Sequence, residues 1–373
     1  MDHKTPYMLK KCVKDQVLTN ALKELTAFHI RNCAEYKKIL DSLGFDPERA
    51  ENYTDIPPLP AGLFKRLDLS SISSDSHLPE GAREGMEKDK NTAVWQDRSG
   101  IKTLTSSGTS GQVASKIYLD AETRTAQQKA LAEIGVDFLG NKRLPMLIID
   151  CPSAAGDRKR YTARAAGITG FSLFASKRIF ALDDDMKISA EAVRDFLEKY
   201  GGEPFLVFGF TYMIWQYFYL PLKDCASRPD LSNAVIIHGG GWKKLEGLNI
   251  TKDEYKNSLR EAFGAARIHD YYGMAEQAGS IFMECEYGRL HCSDYSDVLI
   301  RRAGDLSLCG VGESGIIQVV STLPKSYPGH SILTEDEGVL LGIDDCPCGR
   351  MGACFEVKGR LKKAQIRGCS DAY

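Results

Sequence analysis

Neither sign of charge dominates this chain: 48 Lys and Arg stand against 50 Asp and Glu, a formal net charge of -2. The basic residues are scattered among acids, so no electrostatic footprint points to nucleic acid as a partner. No leader is expected either, because Met1-Asp2-His3-Lys4-Thr5-Pro6 is polar and no apolar core resembling a signal peptide follows it. Internal repeats and low-complexity tracts are absent. Long apolar runs are scarce, the exception being the uncharged stretch from Phe205 to Leu222. It just reaches the roughly 18 residues at which a spanning helix becomes feasible. Gly209, Gln216 and Pro221 interrupt it, so it reads as a short strand, Phe205-Leu206-Val207-Phe208, feeding a buried helix. A lining for a greasy substrate is the other use of such a stretch. Cysteine is not scarce. Eleven of them in a leaderless chain point to reduced thiols, metal ligands or a catalytic thiol rather than a disulfide framework, and to a cytoplasmic protein.

A chain of 373 residues, 43% hydrophobic and 26% charged, can bury a full core and has room for one large or two average domains. From Asp15 to Leu43 apolar residues recur at helical spacing. Ile56-Pro57-Pro58-Leu59-Pro60 cannot continue a helix and predicts an extended crossing. Ser70 to Asp97 is polar and weakly patterned. Thereafter helical pieces (Ala121–Leu139, Ser189–Tyr200) alternate with strand-like ones (Pro145–Asp150, Ala234–Ile237, Gly315–Val320). Alternation of this kind predicts α/β layering. The expected division is a helical N-terminal region over 1–100, a core over 101–358 and a tail over 359–373.

Thr105-Ser106-Ser107-Gly108-Thr109-Ser110-Gly111 packs hydroxyls and glycines ahead of Lys116. Glycines let consecutive backbone N–H groups turn toward one anion, Ser and Thr add donors, and a lysine adds a point charge. No Gly-Lys-Ser/Thr closes the loop, so it is not a Walker motif, and a merely flexible loop is the plainer alternative. A second element is Tyr271-Tyr272-Gly273-Met274-Ala275-Glu276, after the strand-like Arg267-Ile268-His269-Asp270. Such a turn can set a carboxylate beside a nucleotide's magnesium.

These two segments, in this order, resemble signature motifs of the acyl-adenylate-forming superfamily, and Gly359-Arg360-Leu361-Lys362-Lys363 to Gly368 is similar to its hinge motif. Ile56 to Pro60 with Phe64-Lys65, Gly239-Gly240-Gly241-Trp242-Lys243 and the terminal Arg367-Gly368-Cys369-Ser370 narrow the resemblance to LuxE-type acyl-protein synthetases, which supply activated fatty acid to a luminescence reductase. Phenylacetate–CoA ligases are similar at greater distance. The resemblance runs from about Ile56 onward and implies the large α/β domain of an adenylate-forming enzyme, with a small β subdomain. It implies that Ser106 to Gly111 hold the β- and γ-phosphates of ATP, with Lys116 toward the leaving pyrophosphate. Gly239, Gly240 and Gly241 would lie against the adenine, Tyr272-Gly273 beside it, and Glu276 would serve Mg2+. Thr334-Glu335-Asp336 resembles the family's Thr-Gly-Asp, which makes Asp336 the ribose ligand, with Glu335 a departure. Arg360 would act near the ribose or phosphate.

Cys369 matches the family's acyl-accepting cysteine, and a thiolate is well suited to receive an acyl group from an adenylate. Superfamily members usually continue into a small domain carrying a catalytic lysine; this chain stops at Tyr373, and a tail thiol would replace that module. Cys346-Pro347-Cys348-Gly349-Arg350, with Cys285 and His291 upstream, offers three thiolates and an imidazole, a complete tetrahedral zinc set. A similar arrangement in phenylacetate–CoA ligases supports it; Cys292 could replace His291 or simply be adjacent, and Cys354 is a further spare thiol. Three functional readings follow. The first is an acyl-protein synthetase that passes its acyl group to an acyl reductase or carrier protein, the second a ligase using free coenzyme A, and the third a nucleotide-binding, zinc-stabilised interaction module without turnover. Tyr161 to Gly167, with Arg164, resembles a LuxE-type segment on the substrate side and has no assigned chemistry.

Overall fold

The structure is a computed structural model that describes residues 5–72, 101–105, 114–156, 163–240, 245, 248 and 250–361. The chain divides into two compact units. The first comprises Met1–Leu131, Gly273–Ile281 and His291–Tyr373, and the second Ala132–Tyr272 and Phe282–Leu290.

In the first unit the N-terminal helical pattern is realised as two helices, α1 (Lys11–Asn32) and α2 (Ala34–Ser42). The single expected helix breaks at Cys33, whose φ of -134° and ψ of 102° are those of extended backbone. Leu18 and Leu22 of α1 pack with Tyr53, Ile56, Leu299 and Val320 in one buried cluster. Burying side chains of this size stabilises by about 1.5–3 kcal/mol each. The proline-rich crossing becomes a short strand, β1 (Leu59–Pro60), parallel to β13 (Ser331–Ile343). An antiparallel hairpin is formed by β2 (Lys102–Thr105) and β3 (Lys116–Leu119). The main sheet of this unit runs β11 (Ser296–Arg301), β12 (Ser314–Ser321), β13, β14 (Ala353–Arg360), antiparallel throughout.

The second unit carries the parallel sheet. Its order is β5 (Ala175–Phe180), β4 (Leu144–Ile148), β6 (Phe205–Phe210), β7 (Ala234–Gly239), β8 (Arg267–Tyr272), with β9 (Phe282–Glu284) antiparallel on β8. β10 (Leu290–His291) follows in the chain. The central strands are buried along nearly their whole length, as a sheet covered on both faces requires: every residue from Phe205 to Phe208 is buried, as is every residue of β7, His238 included. Leu147, Phe205, Val207, Ile236 and Ile268 face Val193, Phe196, Trp215, Leu259 and Phe263 in one core cluster.

The covering helices start where side chains can cap them. Ser189 accepts from the Ala192 amide ahead of the helix Ala190–Tyr200. Thr251 and Glu254 form a reciprocal capping box on the helix Lys252–Phe263, which ends at Gly264 with φ +71°. The uncharged stretch from Phe205 is strand β6 followed by helical turns from Thr211 to Leu222, with a π turn over Trp215–Tyr219. Among the described residues no helix is long and apolar enough to cross a membrane. The helix α3 covers Ala121–Leu139, the run read as helical from the sequence.

Candidate active site

Several of the predicted site residues fall in the first unit. Hairpin register sets Thr105 directly opposite Lys116, so the segment between them leaves and returns at facing positions. That segment's Ser106, Ser107, Gly108, Thr109, Ser110 and Gly111 lie outside the described residues. Lys116 is exposed at the hairpin's return.

Glu276 sits in the 3-10 turn Ala275–Gln277 and is buried. The turn is closed by the Gln277 amide donating to the Met274 carbonyl at 3.2 Å. Its neighbour Gln277, also buried, donates through Nε2 to the carbonyls of Val319 (3.1 Å) and Gly329 (2.9 Å). Tyr327 is fully buried, and its hydroxyl accepts from Gln127 Nε2 at 3.3 Å. Burial pushes the Tyr327 hydroxyl pKa up; Gln127 offsets part of this, and the nearby Glu276 carboxylate adds to it.

On β13, Thr334 donates its hydroxyl to the Ile317 carbonyl (2.8 Å) and accepts from the Asp336 amide (3.2 Å). Register sets Asp336 opposite Arg360 of β14. The Arg360 guanidinium bonds the carboxylate of Glu335, the residue that departs from the family pattern, and the Leu361 amide donates to the Glu335 carbonyl at 3.0 Å. Cys369 lies outside the described residues.

In the second unit β7 delivers Gly239 and Gly240 at its C-terminal end, and Gly241 lies outside the described residues. Each glycine is there for a steric reason. A Cβ on Gly239 would fall 2.6 Å from the ring and carbonyl oxygen of Tyr271, and Gly240 has φ +66°. The Thr211 amide donates to the Gly240 carbonyl at 3.2 Å, and the Thr211 hydroxyl is 2.9 Å from His238 Nδ1. Burial holds the His238 imidazole well below its usual pKa, and the positive charges of Lys256, His269 and Lys252 act in the same direction. His238 is therefore neutral when it meets Thr211. Tyr272 closes β8, half-buried, its ring 6.1 Å from that of Phe282. Gly273 follows it at the start of the turn segment Gly273–Ile281.

Arg164 forks onto Asp150 at the end of β4, with Nε 2.9 Å from Oδ2. Hydrogen bonding to Asp150 raises the guanidinium pKa against the opposing effect of burial. This is a strand-end ion pair, and Tyr161 and Thr162 lie outside the described residues.

Of the candidate metal ligands, His291, Cys346 and Cys348 belong to the first unit, and their ligand atoms lie within 4.8 Å of one another. Cys348 Sγ is 3.4 Å from His291 Nε2. Cys285 belongs to the second unit, in the turn after β9, where its amide donates to the Arg289 carbonyl at 2.9 Å. Two soft thiols and an imidazole so close together are a donor set that suits zinc. None of the ten described cysteines is in a disulfide.

Sequence motifs did not flag Gln277, Tyr327, Gln127 or Thr211. Their partners, two backbone carbonyls for Gln277, Tyr327 for Gln127 and His238 for Thr211, are distant in sequence, and no local pattern marks them.

The fold has solved counterparts. The crystal structure of an open conformation of 2-hydroxyisobutyryl-CoA ligase, in complex with 2-HIB-AMP and CoA, superposes with a TM-score of 0.67 at 16% identity, covering 96% of this chain and 77% of that one. Among curated proteins, the long-chain-fatty-acid–luciferin-component ligase of Vibrio harveyi is 22% identical over 372 residues, 98% of this chain and 89% of its own length. The Aliivibrio fischeri protein of the same name is 25% identical over 172 residues, 45% of this chain and 43% of its own length. With residues 89–373 matching the family described as acyl-protein synthetase, LuxE, this chain belongs to that family and is an adenylate-forming ligase.

Proposed function

We propose that this ligase joins a long-chain fatty acid to ATP as an acyl-adenylate, takes the acyl group onto Cys369, and hands it to a partner protein such as an acyl reductase or carrier protein. The observation that carries the reading is the register of β13 on β14. It sets Asp336 opposite Arg360 in the same unit that holds the Thr105–Lys116 stem and Glu276. A nucleotide site needs these groups together: donors and a cation for the phosphates, a carboxylate for the metal and another for the ribose.

In the first step a carboxylate oxygen attacks the α-phosphorus, the bond from that phosphorus to the bridging oxygen breaks, and pyrophosphate leaves. Both reactants are anions, so catalysis consists mainly of positioning and charge neutralisation. Ser106 to Gly111 would donate hydrogen bonds to the β- and γ-phosphates and Lys116 would draw off the charge of the leaving group. Gly239 to Gly241 and Tyr272-Gly273 would receive the adenine, Asp336 the ribose hydroxyls, and Arg360 the ribose or phosphate. Magnesium supplies further neutralisation when bound with ATP, and Glu276 is the carboxylate that would hold it. In the second step the Cys369 thiolate attacks the acyl carbon, the bond to the AMP oxygen breaks, and AMP leaves with the electron pair.

Cys285, His291, Cys346 and Cys348 would hold a structural zinc that contributes folding energy and takes no part in the chemistry. The fatty-acid assignment follows the Vibrio harveyi and Aliivibrio fischeri relatives, both long-chain-fatty-acid–luciferin-component ligases. ATP–pyrophosphate exchange with saturated acids of graded length and with aromatic acids tests the reading. Exchange should appear with long-chain acids; no exchange with any acid in the presence of magnesium would sink the enzymatic step.

A further inference from the structure

The family motif ends at Glu276, yet the contacts that fix this turn belong to its neighbours. Gln277 is buried, and both N–H bonds of its amide are spent on backbone carbonyls, one in β12 (Val319) and one just ahead of β13 (Gly329). Its Oε1 is also buried and has no partner among the described residues. A buried amide left half satisfied costs stability. An apolar side chain of the same shape would avoid that cost if filling space were the only requirement.

The rest of the turn is held as tightly. A Cβ on Gly329 would come 2.7 Å from the Glu276 carbonyl oxygen and 2.2 Å from the Tyr327 ring. Gly279, with φ +87°, lies so close to α3 that a Cβ there would be 2.7 Å from Gln127 Cα. Ser280 and Ser321 share a hydrogen bond at the far end of the segment. Glu276 therefore stands on a turn anchored to β12, to α3 and to the segment that leads into Asp336's strand.

We infer that Gln277 is a positioning residue: its amide clamp on the Val319 and Gly329 carbonyls aims the Glu276 carboxylate at the metal that accompanies ATP. This rests on the reading of Glu276 given above. A clamp of this kind affects metal-dependent binding and leaves the metal-free binding of ATP alone, whereas general damage to the fold would weaken both.

The dissociation constant of ATP is measured without carboxylic acid, so that no turnover occurs, once with Mn2+ and once with EDTA; bound Mn2+ is followed by EPR. The ratio of the two constants reports the metal's contribution to binding. Gln277→Met should cut that ratio roughly tenfold and leave the EDTA value within about twofold. In the Glu276→Gln background the same substitution should add nothing, because the two residues act as one unit.

Equal weakening with and without metal, or an effect additive with Glu276→Gln, would overturn the clamp. An unchanged ratio in Glu276→Gln alone would overturn the reading of Glu276 itself, so the two failures are told apart. Should Gln277→Met fail to fold, Gln277→Asn, whose shorter amide cannot reach both the Val319 and Gly329 carbonyls, takes its place in the cycle, with the same direction of shift expected and the same outcomes decisive.

Discussion

Asp297 is a wholly buried carboxylate. Burial alone would push its pKa up, yet Lys14, Lys11 and the Tyr53 hydroxyl together hold it below the usual carboxylate range. Tyr53 donates to it at 2.8 Å and Lys11 Nζ lies 3.1 Å away, while Lys14, equally buried, is 3.9 Å away and also donates to the Cys292 carbonyl. Removing one partner strands the other charge in a dry site. Asp297→Ala should therefore destabilise the protein by about 3–5 kcal/mol in urea unfolding, far more than a surface pair would. None of this network was legible in the sequence. Lysine is almost never fully buried, and nothing around Lys14 marks it as an exception.

His29 makes a pH prediction at the same scale. Its imidazole, stacked 4.9 Å from that of His330, is pulled by burial from 6.5 to about 4, with the Pro324 carbonyl acting the other way. The proton binds the unfolded chain more readily than the folded one. Stability should thus be constant above pH 6.5 and fall as pH drops through 6.5 toward 4, by up to about 3 kcal/mol from this residue. His29→Gln should shrink that acid-side loss; melting curves between pH 7 and pH 4 measure it.

At the scale of elements, periodicity located much and missed what depends on distant pairing. The run Ser189–Tyr200 becomes the helix Ala190–Tyr200, and Phe205–Phe208 opens β6, because amphipathic spacing and continuous apolar strands are local signals. The break at Cys33 carries no glycine or proline to announce it, so α1 and α2 read as one helix. The pairing of β1 with β13 joins residues more than 250 positions apart, and no local pattern encodes it.

The candidate site divides in the same way. The carboxylates proposed for metal and ribose, Glu276 and Asp336, stand in segments that resemble motifs, while the Arg360–Glu335 pair emerges only from register. Gly239 allows a test. Because a Cβ there meets both backbone and ring of Tyr271 at 2.6 Å, Gly239→Ala must displace the turn. A strain of about 1–3 kcal/mol should raise KM for ATP roughly tenfold or more, with KM for the acid little changed, in exchange kinetics.

For the whole molecule, two claims go beyond fold and family. The first is the metal. Metal analysis of protein purified without chelator should return about one zinc per chain, and Cys346→Ser should lose it together with several degrees of Tm. Protein that is zinc-free and no less stable as Cys346→Ser would remove the metal from the account.

The second claim, and the central one, is that the acyl group reaches Cys369 after adenylation. Incubation with ATP and a radiolabelled long-chain acid, followed by hydroxylamine treatment of the isolated protein, measures it directly. The wild type should carry hydroxylamine-labile label, while Cys369→Ala should retain ATP–pyrophosphate exchange and carry none. Undiminished labile label on Cys369→Ala would contradict the account.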